Sequence, residues 1–132
     1  MGLIMLIGGY RALRAASSEV LNAHGYQVEE CRTLSDASRR LRALSPALVV
    51  LDTLVGDGDP IEFVPNLRQS STVPVIVRNF QREHEFGVKA FEAGADDYVG
   101  ESCSYEELAL RVQAILGRHG GNRVLASESV LR

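Results

Sequence analysis

The fold is decided by residues 47–52, with the sequence Ala47-Leu48-Val49-Val50-Leu51-Asp52. An unbroken apolar run of this length predicts a strand that is buried on both faces of a parallel sheet. The polar Asp52 follows the run directly, so its carboxylate is expected at the carboxyl end of that strand. Similar patterns recur on both sides of this run.

Four further strand candidates flank the run, and helical patterns alternate with them. The strand candidates are residues 3–7, 26–30, 73–77 and 97–100, and the helical patterns cover 10–24, 35–45, a segment that starts at Pro60, 83–93 and 104–117. Ser35 is placed to cap the second helix, and Ser104 with Glu107 forms a capping box for the fifth. This order predicts an α/β, flavodoxin-like (βα)5 fold, with a parallel sheet of order 2-1-3-4-5 and helices on both faces.

The composition is typical of one globular domain and excludes several functions. The chain has 132 residues, of which 45% are hydrophobic and 23% charged, and 14 Lys and Arg against 17 Asp and Glu give a net charge of -3. A mildly acidic chain is a poor nucleic-acid binder by itself, because duplex affinity depends on cationic contacts to phosphates. No run approaches the ~18 apolar residues of a membrane span. Cys31 and Cys103 lack metal-ligand spacing, so we expect free thiols and a cytoplasmic protein.

Ligands in such sheets bind at the carboxyl ends of the strands. Here those ends carry Gly8-Gly9, Asp52, Arg78-Asn79 and Gly100-Glu101. No Ser-His-Asp set, metal cluster or nucleotide loop is visible in the sequence, so we do not expect an independent enzyme.

Three segments together resemble the receiver domain of two-component response regulators. They are Leu48–Asp52, Val73–Val77 and Glu92–Val99. The last of these closely resembles the sequence pattern of the OmpR/PhoB type. The resemblance covers about residues 3–118. It implies that Asp52 holds the position that accepts a phosphoryl group from a histidine kinase, and that Tyr98 is the aromatic switch residue.

The pocket around Asp52 departs from the family pattern at every helper position. The two acidic residues that hold Mg²⁺ are replaced by Gly8 and Gly9, the Ser/Thr position is Asn79, and the Lys-Pro dipeptide is Glu101-Ser102. A phosphoryl group of about -2 charge beside carboxylates, without metal or lysine, is electrostatically disfavoured. We therefore expect no cofactor and weak or absent Mg²⁺ binding.

These departures predict an atypical receiver that controls dimerisation and DNA-binding output without phosphorylation. Two alternatives stay open. In the first, Asp52 is a conventional phosphoacceptor for a histidine kinase. In the second, the altered pocket around Gly8, Arg78 and Glu101 binds a small molecule or a partner protein.

Several residues at the pocket allow more than one interpretation. Gly8-Gly9 is a plain tight turn in the interpretation we favour, rather than a phosphate-binding loop. Arg78 either forms an internal ion pair with Asp52 or Glu101 or is a solvated loop arginine, and we favour the solvated one. Asp57 and Asp59 would bring a carboxylate back to the pocket only if their turn folds back towards Asp52, which we do not expect.

The resemblance also implies a homodimer through the fourth helix, fifth strand and fifth helix. The matching residues are Val88, Phe91 and Ala109 in an apolar patch, and Asp97 with Arg111, Asp96 with Arg118, and Glu107 in ion pairs between subunits. The alternative is that these charges are ordinary solvated helix faces.

The expected domain organisation is a receiver over residues 1–118 and a linker over residues 119–132. The linker is expected to lead into a C-terminal domain outside this chain, of the winged-helix DNA-binding kind. DNA would be bound only through that domain, and no membrane contact is expected.

Overall fold

Five parallel strands form the sheet in the computed structural model, which describes residues 2–80 and 86–118. The strands are β1 (Leu3–Ile7), β2 (Gln27–Cys31), β3 (Leu48–Asp52), β4 (Val75–Arg78) and β5 (Asp97–Val99). Their order is β2-β1-β3-β4-β5, and every neighbouring pair is parallel. The predicted fold and strand order are therefore confirmed.

Five helices connect these strands. They are α1 (Arg11–Ala23), α2 (Leu34–Leu44), α3 (Pro60–Arg68), α4 (Phe86–Ala93) and α5 (Tyr105–Leu116). Residues 83–85, with which the fourth helix was predicted to begin, lie outside the described residues, as do residues 119–132. Among the described residues, no helix has the length and apolarity needed to cross a membrane.

Two apolar clusters cover the faces of the sheet, and β3 contributes to both. All five residues of β3 are buried. Because successive side chains of a strand point to opposite faces, Leu48 and Val50 pack with α1 and α5, while Val49 and Leu51 pack with α2, α3 and α4. The unbroken apolar run therefore reflects burial on both faces.

Side chains at the loops fix where the helices begin. Thr33 caps α2, and its hydroxyl accepts a 3.0 Å hydrogen bond from the backbone N–H of Asp36. The prediction that Ser35 caps this helix is wrong, because the helix begins at Leu34 and encloses Ser35. The starts of α3 and α5 agree with the sequence. Pro60 is at the start of α3, and Ser104 accepts from the N–H of Glu107 at 3.0 Å.

The loop after β3 also holds the start of α2. The carboxylate of Asp57 accepts hydrogen bonds from the backbone N–H groups of Leu34, at 2.8 Å, and Ser35, at 3.0 Å. These bonds hold the pKa of Asp57 below its ordinary value of 3.8. Asp59 caps α3 by accepting from the N–H of Ile61 at 2.9 Å. Both carboxylates thus accept hydrogen bonds from backbone N–H groups at the starts of helices.

Asp57→Ala should lower the melting temperature by a few degrees at pH 7, since it removes an acceptor from two backbone N–H groups. A carboxylate with a lowered pKa stabilises the fold above pH 3.8 and loses that effect as the pH falls through the pKa of the folded state. The difference from wild type should therefore shrink between pH 7 and pH 3, as measured by thermal unfolding monitored by circular dichroism. The exposed Glu19→Ala is the control, and equal losses in the two variants would contradict the assignment.

Candidate functional site at the carboxyl ends of the strands

A buried ion pair joins the ends of β3 and β4. Asp52 and Arg78 occupy partner positions in the register of these strands. The Nε of Arg78 donates to Oδ1 of Asp52 at 2.7 Å, and Nη2 donates to Oδ2 at 3.0 Å. The side chains of Arg78 and Asp52 are only 3% and 4% exposed. The favoured prediction of a solvated Arg78 is therefore wrong, because the neighbouring strand β3 places the Asp52 carboxylate beside it.

Burial and neighbouring positive charges shift the pKa of Asp52 in opposite directions. Burial raises the pKa of the Asp52 carboxyl above its usual value and is the larger effect. The hydrogen bonds and positive charge of Arg78 lower the pKa, as does the charge of Arg14. A carboxylate at this depth keeps its charge only with a cation beside it. Arg78 supplies that cation within the chain itself.

The close approach of β1 to Asp52 requires glycine at position 8. A β-carbon built on Gly8 would lie 2.7 Å from Oδ2 of Asp52, well inside van der Waals contact. The N–H of Gly8 donates to the carbonyl of Cys31 at 2.9 Å, and the N–H of Gly9 donates to that of Leu54 at 2.6 Å. Both N–H groups are thus bonded to backbone. This geometry favours the plain tight turn over a phosphate-binding loop.

A second arginine supports this turn from α1. Arg14 is 9% exposed, and its Nη1 donates to the carbonyl of Gly8 at 2.6 Å. Its Nε donates to Glu30 at 3.1 Å, and Ser18 donates to the same carboxylate at 2.9 Å. Arg14 therefore holds the β1 turn beside the Asp52–Arg78 pair.

The donor set at this position does not fit Mg²⁺. Mg²⁺ in proteins is held by one or two carboxylates with near-octahedral geometry. Gly8 and Gly9 offer no side-chain oxygen, and both oxygens of Asp52 bind Arg78. Within residues 2–80 and 86–118, no group of three or more His, Cys, Asp or Glu is placed to hold a metal ion.

A chain of hydrogen bonds runs from the end of β3 to β5. The hydroxyl of Thr53 donates to Oδ1 of Asn79 at 3.0 Å, and Nδ2 of Asn79 donates to the hydroxyl of Tyr98 at 3.0 Å. Thr53 is 6% exposed and Asn79 is fully buried. The Tyr98 ring stacks on Phe86, with centroids 6.3 Å apart. The predicted switch aromatic thus has its hydroxyl anchored at the site.

Two further predicted pocket residues, Glu101 and Ser102, follow β5 and are exposed.

Arg78 also contacts an aromatic ring. Its guanidinium carbon lies 5.1 Å from the centroid of the Phe80 ring. A cation over an aromatic face is attracted by the ring. Phe80 therefore adds to the interactions that hold the guanidinium of Arg78.

The predicted association face is partly exposed and partly buried. Val88 and Phe91 on α4 are 61% and 52% exposed, as an apolar patch requires. Ala109 is fully buried against the core, so its predicted place in the patch is wrong. Leu110, its neighbour, is 52% exposed and was not predicted.

The predicted ion-pair residues find partners within the same chain. Nη1 of Arg111 lies 3.0 Å from Oδ2 of Asp97, and its Nη2 lies 3.0 Å from Oε2 of Glu107. Asp96 binds Arg68 of α3 at 2.9 Å. Arg118 is exposed. Pairing of these residues between subunits stays a prediction.

A cleft of about 730 Å³ lies away from the ion pair, between α2 and α3. Its lining includes Leu41, Arg42, Phe63 and Leu67, but neither Asp52 nor Arg78. A molecule bound in this cleft would not touch the ion pair. The alternative of a ligand at Gly8, Arg78 and Glu101 therefore gains no support from this cleft and stays a prediction.

Comparison with known proteins identifies the family. The protein-family model described as the response regulator receiver domain matches residues 4–113 of this chain. With the 2-1-3-4-5 sheet and the aspartate at the end of its central strand, the chain belongs to the response regulator receiver domain family.

Individual relatives agree with this assignment. The chain is 35% identical over 116 residues to the KDP operon transcriptional regulatory protein KdpE of Escherichia coli, covering 88% of this chain and 52% of KdpE. It is 30% identical over 118 residues to the phosphate regulon transcriptional regulatory protein PhoB of the same species, covering 87% of this chain and 52% of PhoB. The chain thus spans about half the length of these relatives.

Solved structures show the same fold. HP1043, described as an orphan response regulator of H. pylori, matches with a TM-score of 0.78 and 27% identity, over 86% of this chain and 95% of that one. A LuxR-family response regulator from Aurantimonas matches with a TM-score of 0.81 and 29% identity, over 89% of this chain and 86% of that one.

Arg14, Thr53 and Phe80 were not predicted from the sequence as parts of the site. Arg14 gave no signal in the sequence, because the buried side of α1 carries the polar Arg14, Ser17 and Ser18, whereas an apolar stripe is what usually marks a buried side. Thr53 directly follows Asp52, so its place at the same edge was readable. Phe80 gave no comparable signal.

Arg78→Met should lower the free energy of unfolding by about 3–5 kcal/mol, because it leaves the buried Asp52 carboxylate without its cation. The double variant Asp52→Leu with Arg78→Met should recover a large part of that loss, since no buried charge is then unpaired. Urea unfolding of wild type, both single variants and the double variant measures the coupling.

The matched control is Arg111→Met, which removes a half-exposed arginine that also binds an aspartate. It should cost no more than about 1 kcal/mol. Additive losses in the Asp52–Arg78 cycle would show that the two side chains do not act as a pair.

Proposed function

We propose that this receiver domain works without phosphorylation, with the Asp52–Arg78 ion pair holding it in one state. The observation that carries the proposal is the buried fork of Arg78 on both oxygens of Asp52. An acceptor carboxylate must offer an oxygen lone pair to the incoming phosphorus. Here both oxygens accept charge-assisted hydrogen bonds from a guanidinium that cannot lose its proton.

The cost of phosphorylation also argues for this function. A phosphoryl group would bring about -2 charge to a buried position and would displace Arg78 from at least one oxygen. In the family pattern, acidic residues hold a metal that neutralises this charge, and here Gly8 and Gly9 stand at their positions. We therefore propose that Mg²⁺ binding is weak and that a histidine kinase is not required.

The output of such a domain is proposed to be regulation of transcription through association. KdpE and PhoB are named as transcriptional regulatory proteins, and this chain matches about half of each. We propose that residues 119–132 lead into a C-terminal DNA-binding domain and that the receiver sets the spacing of two such domains. This is a regulatory role rather than a catalytic one.

Incubation of the wild-type chain with acetyl phosphate and Mg²⁺ should leave its intact mass unchanged. The hydrogen bonds from Arg78 make both Asp52 oxygens weaker nucleophiles, and positions 8 and 9 carry no carboxylates to hold the metal. Arg78→Met should also stay unmodified, since freeing Asp52 does not restore the metal ligands. Mass spectrometry of the intact protein makes the measurement.

The positive control is a receiver domain that has been shown beforehand to gain one phosphoryl group under the same conditions. A stoichiometric gain of one phosphoryl group that disappears in Asp52→Asn would favour the alternative of a conventional phosphoacceptor. Modification of Arg78→Met alone would show that the arginine, rather than the missing metal ligands, is the barrier.

We further propose that the chain forms a homodimer through α4, β5 and α5. Val88 and Phe91 on α4 and Leu110 on α5 are large apolar side chains that are each more than half exposed. Apolar contacts at the centre of an interface carry most of its affinity, and exposed ion pairs add little. Because Asp97, Glu107 and Asp96 all have partners within the chain, the apolar side chains carry the proposed dimer.

Phe91→Glu should convert the dimer to monomers in sedimentation velocity, since it would bury a charge against its symmetry copy. Leu44→Glu changes an exposed leucine on α2 and is the matched control, which should stay dimeric. Loss of the dimer in Leu44→Glu but not in Phe91→Glu would show that the interface lies on another face.

A further inference from the structure

We propose that the cleft between α2 and α3 is a binding site for a small amphipathic anion, a molecule with an apolar body and one carboxylate. The cleft has a volume of about 730 Å³. Pockets for small molecules have volumes of about 300–1,000 Å³ and a largely apolar lining with a few polar groups. The inference holds whether or not Asp52 accepts a phosphoryl group, because neither Asp52 nor Arg78 lines the cleft.

The two helices are held together where they begin, and the cleft lies where they end. Asp57, in the loop before α3, accepts hydrogen bonds from the N–H groups of the first two residues of α2. Beyond these bonds α3 packs mainly on α4 and makes few contacts with α2. Ser45 and Ser70, which follow the two helices, line the cleft, and so does Pro46 just before β3. The cleft therefore opens at the edge of the sheet opposite to Asp52.

The floor of the cleft is apolar. Leu41 of α2 and Phe63 and Leu67 of α3 line it, and all three are partly buried side chains that pack against one of the two core clusters. Covering apolar surface that is in contact with water is favourable. An aromatic or aliphatic body of a ligand would cover these side chains without displacing any residue of the core.

The charge of the cleft is positive. Among the described residues that line it, Arg42 is the only charged one. The other two arginines of α2, Arg39 and Arg40, both bind Asp36. Within residues 2–80 and 86–118, the guanidinium of Arg42 makes no ion pair or hydrogen bond. Since an arginine fork matches a carboxylate with two parallel hydrogen bonds, an anion is the ligand that Arg42 favours.

A hydroxyl group lies on the same face of α2 as this guanidinium. Ser38 and Arg42 are four residues apart and both line the cleft. Residues with this spacing are neighbours on a helix surface. A carboxylate that pairs with Arg42 can therefore also accept from the Ser38 hydroxyl, while the rest of the ligand extends over Phe63 towards α3. Such a ligand contacts both helices, and by binding only the folded state it raises the melting temperature.

Nuclear magnetic resonance on the complete ¹⁵N-labelled chain tests the site with 2-naphthoate, a bicyclic aromatic carboxylate. The amide signals of residues 38–46 and 63–73 should shift during the titration, and those of α4 and α5 should stay in place. 2-Naphthamide has the same rings without the charge. It should bind about three- to tenfold more weakly, because it lacks the ion pair with Arg42.

Two pairs of variants separate the charge from the cleft. Arg42→Gln should weaken 2-naphthoate about three- to tenfold and leave the affinity for 2-naphthamide unchanged. Its matched control is Arg32→Gln, an exposed arginine outside the lining. Ser38→Trp should fill the cleft and abolish the binding of both probes. Its control is Ser35→Trp, an exposed serine of the same helix that does not line the cleft. Circular dichroism checks the fold of each variant.

Equal affinities of wild type for the two probes would overturn the inference, as would an affinity for 2-naphthoate that Arg42→Gln does not change. Signal shifts confined to α4 and α5 would also overturn it, because the probe would then lie on the exposed apolar side chains there. If wild type is an oligomer that Ser38→Trp dissociates and Ser35→Trp does not, a second copy of the chain occupies the cleft in place of a small anion.

Discussion

The rest of the site depends on one constraint, which is that a buried carboxylate must have a cation beside it. Asp52 is 4% exposed, and the guanidinium of Arg78 is the cation that stays with it. Because an arginine does not lose its proton in proteins, the pair cannot relax by proton transfer. Arg78 donates a hydrogen bond to each carboxylate oxygen of Asp52, and Asp52 lies close to Gly8 in the turn after β1. It also brings the end of β4 next to Thr53.

The packing of the sheet around this pair does not depend on which polar residues lie at the ends of its strands. The sheet is held by two apolar clusters that use alternate residues of β3, and neither cluster needs a phosphoryl group or a metal. A receiver fold can therefore keep its strand order while the polar residues at the strand ends change. This separation is general, since function resides in sites that are placed on a fold. It explains how a chain can belong clearly to the family while an Asp52–Arg78 ion pair lies at the ends of its strands.

The sequence predicted the fold well because burial in a parallel sheet is a local signal. The run from Leu48 to Leu51 needs no knowledge of distant residues to be recognised as a strand. The ion pair of Arg78 with Asp52 was predicted only as an alternative, because the partner lies 26 residues earlier and on another strand. Choosing between that pair and a solvated arginine requires the register of the sheet. Ala109 was misplaced for a related reason, since α5 buries both Leu108 and Ala109 and its buried side is wider than a single stripe.

The tight contact at Gly8 has an evolutionary consequence. With Asp52 held by Arg78, even a methyl group at position 8 would lie 2.7 Å from the carboxylate oxygen. A glutamate or aspartate introduced there by one mutation would meet a filled space and a second negative charge, before any metal ligand was gained. Gain of a carboxylate at position 8 therefore passes through a destabilised protein, unless Arg78 changes first. Losing Arg78 first leaves the buried Asp52 carboxylate unpaired, so either order of changes has a destabilised intermediate.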